Sequence, residues 1–586
     1  MRGGIVKVAA GTPKIRVADC AYNAARIIAL MHRAAEQGAD VLVLPELCVT
    51  GCTCGDLFRQ DVLLDGAWDA LEAIAAASKG LELLTVVGLP MKGEGGLYNC
   101  AALVYKGQTR AFVPKQELTT EERRWFVPGD GDEGAFFCSL LPGVTLAVAF
   151  PGEEEHRKAD VILSPGADPE WSGRGERRRF RLRFASAKAN CAIVRATAGE
   201  GESTTDLVFG GHRLIVNRGV VAEEDRFDTG LTVCDVDLQA PPAKELPKAE
   251  KFARESSTPF LPQTEEGLEE VLTIAALGLK QRLAHTRAAV AVIGLSGGLD
   301  STLAALITAR AFDLLGRDRT EIVTVTMPCF GTTNRTRSNA EKLAEALGTT
   351  LKIIDISASV RQHFADIGQM MSDHSVTFEN GQARERTQVL MDVANQLGGL
   401  VIGTGDLSEL ALGWCTYNGD HMSMYAVNSG IPKTLVRRLV EHLAQKARAS
   451  LAAVLQDILD TPVSPELLPP QEGKIIQRTE DLVGPYELHD FYLYHAVGKG
   501  VRPRRLLELA CQTLGDRYDR ETLLKWLNRF YRRFFAQQFK RSCMPDGPRV
   551  TEVSLSPRGG WAMPSDAVAS LWLNELEGLN CHESTS

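Results

Sequence analysis

AVIGLSGGLDSTLAALI, residues Ala291 to Ile307, decides the fold of the carboxy-terminal half of the chain. A short apolar run enters a turn holding Gly297 and Gly298, and an apolar helical pattern leaves it. Glycines there let the backbone approach a phosphate and turn its N–H groups inward. Ser296 and Ser301 add hydroxyl donors, and the amino end of the following helix adds a favourable dipole. Asp300 would repel a phosphate unless Mg²⁺ lay between them, which gives it a metal role. A plain helix cap is the bland alternative, and the strand before and helix after the turn favour the phosphate loop.

Working outward, helices are expected at 268–283, 302–315 and 338–347, and strands at 289–294, 321–327 and 351–355. This alternation predicts a doubly wound parallel sheet with right-handed crossovers. A second strand-turn-helix follows in LVIGTGDLSELALGWCTYNGD, residues 400–420. Thr404 can reach a phosphate or ribose, and Glu409 can join Asp300 around Mg²⁺. Capping alone would also account for Asp406, Ser408 and Glu409.

The amino-terminal part alternates strand-like runs (5–9, 41–44, 83–88, 101–105, 144–150, 161–163, 192–196 and 212–216) with helical patterns such as 24–37. A layered α/β domain over 1–240 is expected, then a Pro-, Lys- and Glu-rich linker over 241–270 and a second domain over 271–586. The 586 residues are 44% hydrophobic and 24% charged, with net charge −9, an ordinary globular balance that argues against a nucleic-acid partner. The 13 cysteines sit scattered in apolar runs, as reduced buried thiols do. No stretch has the length and apolarity of a signal peptide or membrane span, so the expectation is a cytoplasmic protein with no membrane partner.

The loop SGGLDST (296–302) lacks the spacing of kinase-like nucleotide sites and resembles that of the ATP pyrophosphatases, which cleave ATP between the α and β phosphates. FENGQARERT (378–387), GTGDLSELALGW (403–414), VNSGIPKTLV (427–436), VSPELLP (463–469), VGPYELHDFYL (483–493), FKRS (539–542) and LSPRGGW (555–561) extend the likeness. In this order they resemble the glutamine-dependent NAD(+) synthetase family, with an adenine nucleotide alpha hydrolase-like sheet in the second domain and a nitrilase-like α-β-β-α sandwich in the first. The resemblance implies ATP and Mg²⁺ as co-substrate and metal, and deamido-NAD and ammonia as small-molecule substrates. It places Lys433 and Ser464 near ATP with the phosphate loop and Thr404. It places Arg384, Glu409, Trp414, Cys415, Thr416, Tyr417, Asp490 and Lys540 around deamido-NAD. Family members assemble as homo-oligomers.

The family's first domain hydrolyses glutamine with a Cys nucleophile, a Glu base and a Lys. Glu46, in VLVLPELCVTG, and Lys115, in FVPKQEL, match the base and the lysine. The nucleophile does not follow. In VTLAVAFPGEEE, residues 144–155, Pro151 stands in the cysteine's place and Ala149 in that of the preceding Glu. Gln116 to Glu121 lacks the Pro and Tyr that help to bind glutamine, and Ser164 to Glu170 departs from the family's substrate-binding stretch. Cys48, Cys52 and Cys54 read as structural thiols, with no complementary Cys or His set for zinc. Cys138, ahead of the nucleophile strand, is the weak alternative. GEGESTTDLVFGGHRLIV (199–216) stays close to the family.

The leading expectation is an NAD(+) synthetase with an inactive glutaminase domain that draws on free ammonia. The alternatives are glutamine use through a displaced nucleophile or a separate glutaminase partner, and a non-catalytic regulatory paralogue. Retained Asp300, Glu409 and Lys540 argue against the last.

Overall fold

A computed structural model describes residues 4–130, 136–137, 141–243, 256–461, 467–468 and 479–579. The chain divides into two compact units, Met1–Ser203 with Val208–Lys251, and Thr204–Leu207 with Phe252–Ser586. Among the described residues no helix is long and apolar enough to cross a membrane.

The first unit carries β1 (Ile5–Thr12), α1 (Cys20–Glu36), β2 (Val41–Val43), α2 (Asp61–Ala77), β3 (Leu84–Gly93), β4 (Gly96–Tyr105) and β5 (Gln108–Pro114). These continue into β6 (Phe136–Phe137), β7 (Thr145–Val148), β8 (Val161–Gly166), α3 (Arg174–Ala189), β9 (Ala192–Thr197), β10 (Arg213–Asn217), β11 (Val220–Asp225) and β12 (Gly230–Asp237). They form two six-stranded sheets, in the orders β12-β1-β2-β3-β4-β5 and β11-β10-β9-β8-β7-β6. Val8, Val43, Val86, Val148, Leu163 and Val194 belong to one buried cluster shared by the two sheets. The central strands are buried on both faces, which is why they read as unbroken apolar runs. α1 and α2 cover the outer face of the first sheet, and Leu182 and Ala185 of α3 pack on the second. The layers are α-β-β-α.

The second unit is built on α4 (Glu265–Thr286), β13 (Ala291–Gly294), α5 (Leu299–Leu315), β14 (Ile322–Thr326), α6 (Asn334–Leu347), β15 (Thr350–Ile353) and α7 (Ser357–Ile367). α8 (Val376–Leu397), β16 (Leu400–Gly403), α9 (Leu407–Leu412), β17 (Tyr425–Ala426) and α10 (Lys433–Lys446) follow. The five strands run in the order β15-β14-β13-β16-β17, and every neighbouring pair is parallel. The order reverses between β13 and β16, so a crevice opens beyond their carboxyl ends. Later helices, including Tyr486–Leu493 and Arg520–Ala536, bury Leu488, Phe491, Leu527 and Phe530 in one cluster with Leu407 and Leu410 of α9. Thr204–Leu207 group with this unit: the Tyr425 hydroxyl donates to the Thr204 carbonyl at 2.9 Å, and Arg558 pairs with Asp206 at 2.7 Å.

One boundary moves in an informative way. α5 starts at Leu299, three residues before the sequence pattern placed it, because extended Gly298 is its N-cap. Asp300 and Ser301 therefore sit in the first helical turn.

Candidate functional site

The phosphate loop is a backbone construction. Gly297 has φ +83°, and a Cβ there would lie 2.2 Å from the Thr336 carbonyl oxygen, so only glycine fits. The Gly298 amide donates to Ser296 Oγ at 3.2 Å, and the Ser296 and Ser301 hydroxyls meet at 3.1 Å. The loop lies at the switch point of the sheet, on a cavity of about 280 Å³ lined by Ser296, Gly298, Asp300, Ser301, Thr404, Glu409 and Trp414. Arg386 lines it too, whereas exposed Arg384, two residues earlier on α8, donates to the Tyr417 carbonyl.

Behind the loop lies a charge cluster in which Lys433 and Asp406 are buried and Asp300 and Glu409 half-buried. Lys433 Nζ stands 2.8 Å from Asp300 Oδ2, 2.6 Å from Asp406 Oδ2 and 2.9 Å from Glu409 Oε1. Burial pushes the Glu409 carboxyl up to about 7; Lys433 opposes this shift and the Asp300 charge adds to it. Burial likewise raises Asp406, while burial alone would lower Lys433, whose ammonium is held by the three carboxylates. Asp406 has two tasks: its Oδ1 caps α9 by accepting from the Ser408 and Glu409 amides, and its Oδ2 faces Lys433. At Asp406 the capping expected from sequence coexists with a place in the charge cluster.

Carboxylate oxygens of Asp300, Asp406 and Glu409 lie within 4.8 Å of one another, and Asp300 Oδ1 is buried with no hydrogen-bond partner. Lys433 already lies against all three carboxylates, so the part of this set that fits Mg²⁺ is the orphaned Asp300 oxygen with Glu409 beside it.

Asn428, a residue to which sequence reading gave no role, holds the two glycine turns together. Its Nδ2 donates to the Asp300 carbonyl at 2.9 Å and the Thr404 carbonyl at 3.1 Å. Asn428→Leu strips both carbonyls of their donor, a cost of about 1–3 kcal/mol. Steady-state kinetics should show KM for ATP raised by about tenfold.

The remaining residues singled out from sequence do not line this cavity. Asp490 is buried with its carboxylate taken by the Ser408 hydroxyl and by the Thr434 amide and hydroxyl, which ties α9 to α10. The Lys540 ammonium donates to the carbonyls of Gly413 and Cys415 at 2.8 and 2.6 Å and so shapes that turn. Thr416 donates from its amide to Asp420, and its hydroxyl donates to Asn380. Tyr417 stacks on His421, with ring centroids 5.3 Å apart. Burial pushes the Cys415 thiol well above its ordinary value. Ser464 and Cys138 lie outside the described residues.

In the first unit Glu46 is 2% exposed, and its Oε1 accepts from Asn99 Nδ2 at 2.6 Å and Lys115 Nζ at 2.9 Å. Lys115 also donates to Glu122 at 2.6 Å, a third group the sequence reading missed. Burial raises the Glu46 carboxyl to about 7 against the pull of Lys115. The Lys115 ammonium lies 5.8 Å from the Phe150 ring centre, and half-buried Pro151 follows in a turn. Burial pushes the thiols of Cys48 and Cys54 to about 12 and that of Cys52 well above its usual value, with the Glu202 charge adding to the rise. Thiols so placed stay protonated at neutral pH.

A phosphate loop at the switch point of a parallel sheet, carried with a second unit of α-β-β-α layers bearing a buried Glu–Lys–Glu set, defines a two-unit nucleotide-using enzyme with a carbon–nitrogen hydrolase-like partner unit. The NAD synthase family model matches residues 271–513 and the carbon-nitrogen hydrolase model residues 7–139. A glutamine-dependent NAD(+) synthetase of Mycobacterium tuberculosis (strain CDC 1551 / Oshkosh) is 37% identical, with 98% of each chain covered; one from Synechocystis is 26% identical, covering 93% of this chain and 95% of that one. The solved glutamine-dependent NAD(+) synthetase of Cytophaga hutchinsonii superposes with TM-score 0.79 at 20% identity, over 98% of this chain and 100% of that one. That of Acinetobacter baumannii, in complex with ADP, gives 0.67 at 21% identity, over 94% and 97%. The chain belongs to the glutamine-dependent NAD(+) synthetase family, and the activity of its second unit is ATP-dependent NAD(+) synthesis.

Proposed function

We propose that this protein forms NAD(+) from deamido-NAD with free ammonia as its nitrogen source, its glutaminase-derived unit being catalytically inactive. One observation carries the reading: at the end of β7, beside Lys115, the chain places Phe150 and Pro151, neither of which can form a thioester. Burial, which keeps the thiols of Cys48, Cys52 and Cys54 protonated, speaks against these three as a displaced nucleophile.

The nicotinate carboxylate of deamido-NAD attacks the α phosphorus of ATP and expels pyrophosphate. Ammonia then attacks the acyl carbon of the adenylate, AMP leaves, and a proton is lost. Adenylation is required because a carboxylate offers only hydroxide as a leaving group, whereas AMP departs readily. The amides at Gly297 and Gly298 and the hydroxyls of Ser296 and Ser301 would hold the departing pyrophosphate, with charge absorbed in a preorganised site. Asp300 and Glu409 would hold Mg²⁺, which when bound neutralises phosphate charge. Lys433 keeps the three carboxylates compatible with one another.

The test supplies ATP, Mg²⁺ and deamido-NAD to the full chain with either ammonium or glutamine. NAD(+) should form with ammonium, and glutamine should yield neither NAD(+) nor glutamate. Glutamine-driven turnover that disappears in Lys115→Ala overturns the proposed nitrogen source; no product with ammonium overturns the enzyme itself.

A further inference from the structure

The first unit contains a second cavity, of about 240 Å³, lined by Pro151, Trp171, Arg174, Arg178, Arg181 and Arg195 among others. Arg177 also reaches it, so five guanidiniums face it against the carboxylates of Glu154, Glu155 and Asp168. Glu155 is engaged by Lys188 at 3.2 Å. Asp168 is shared among Arg174 at 3.3 Å, Arg178 at 3.3 Å and Arg195 at 3.0 Å. Arg195 also pairs with Glu154 and Arg178 with Glu170 at 2.8 Å, and the exposed guanidinium of Arg181 adds positive charge beyond these pairs.

Arg174, Arg177, Arg178 and Arg181 stand three and four residues apart on one face of α3, where like charges repel. Arg178 is buried, with Nη1 donating to Glu170 at 2.8 Å, yet its Nη2 has no hydrogen-bond partner. A buried, unsatisfied guanidinium nitrogen is costly unless something supplies an acceptor. Trp171 holds the Arg174 guanidinium 3.7 Å from its ring centre, which fixes that side chain in place. The amino terminus of α3 starts here too, with Gly173 offering no side-chain cap. Burial lowers Arg174; the Asp168 charge opposes this and the nearby Arg178 charge adds to it.

We propose that this cavity is a binding site for a small phosphate monoester. A phosphate places two negative charges on one group with three acceptor oxygens, which matches converging guanidinium forks and a helix amino terminus. At about 240 Å³ the cavity has room for a sugar phosphate. The proposal is independent of the nitrogen donor, and its test does not read NAD(+) formation.

Ribose 5-phosphate titrated calorimetrically into the full chain, without nucleotide, should bind. Arg181 is exposed, so Arg181→Met probes the site without threatening the core, and about a tenfold loss of affinity is expected. In Arg174→Met/Arg181→Met this binding should be undetectable. These variants leave the nucleotide cavity untouched, so heat that persists unchanged in both belongs elsewhere and overturns the proposal. No heat from the wild-type chain also overturns it. So does glutamine or succinate binding as tightly as ribose 5-phosphate, the first marking an amino-acid site and the second a dicarboxylate site.

Discussion

Gly297→Ala is expected to lower kcat/KM for ATP by about a hundredfold or more while the protein stays folded. The argument is geometric. At φ +83° an alanine already costs about 1 kcal/mol or more, and its methyl would stand 2.2 Å from the Thr336 carbonyl. That oxygen belongs to the backbone of α6, next to buried Asn339 and Ala340, so it cannot swing aside. The loop must move instead, and a displacement near 1 Å at a reacting phosphate costs about two orders of magnitude in rate. Gly298→Ala is the control: its Cβ would meet only Ser296 Oγ at 3.3 Å, at negative φ. A much milder defect is expected there. Equal losses at the two positions would mean that general loop disturbance, and not this collision, governs activity. Steady-state kinetics with ammonium as donor, paired with thermal melting, separates the outcomes.

What sequence made legible follows how local each signal is. The phosphate loop could be read because a strand, a two-glycine turn and a helix are contiguous. The parallel sheet could be read because its strands, buried on both faces, appear as apolar runs. Groups that converge from distant segments left no such trace. Lys433 lies 133 residues from Asp300, and nothing in IPKTLV announces that its ammonium enters a nest of three carboxylates. Glu122 meets Lys115 through a short 3-10 turn too brief to show periodicity. Asp406 was legible as a cap because capping is local; its second oxygen was not, because its partner comes from α10. The arginines of α3 carry no sequence signal for a cavity, and only the fold turns several of them toward one.

The same reasoning makes Lys433 the residue whose loss should cost most in stability. Lys433→Met keeps the length of the stem and removes the charge, leaving Asp300, Asp406 and Glu409 mutually repelling in a buried site. Removing one partner of a buried ionic set costs about 3–5 kcal/mol, far above an exposed pair. Calorimetric melting should therefore show the second unit unfolding earlier, with loss of ammonium-dependent NAD(+) formation. Removing one of the stranded charges should give part of this back. Asparagine can still cap α9, so Lys433→Met/Asp406→Asn should be more stable than Lys433→Met alone. The double-mutant cycle would then report a coupling of about 1–3 kcal/mol between the two positions. A Lys433→Met protein as stable as wild type would show that the carboxylates do not depend on this ammonium for their compatibility. Absence of rescue in the double variant would assign the loss to packing around the lysine stem, against Tyr486, whose ring centre lies 5.2 Å from Nζ.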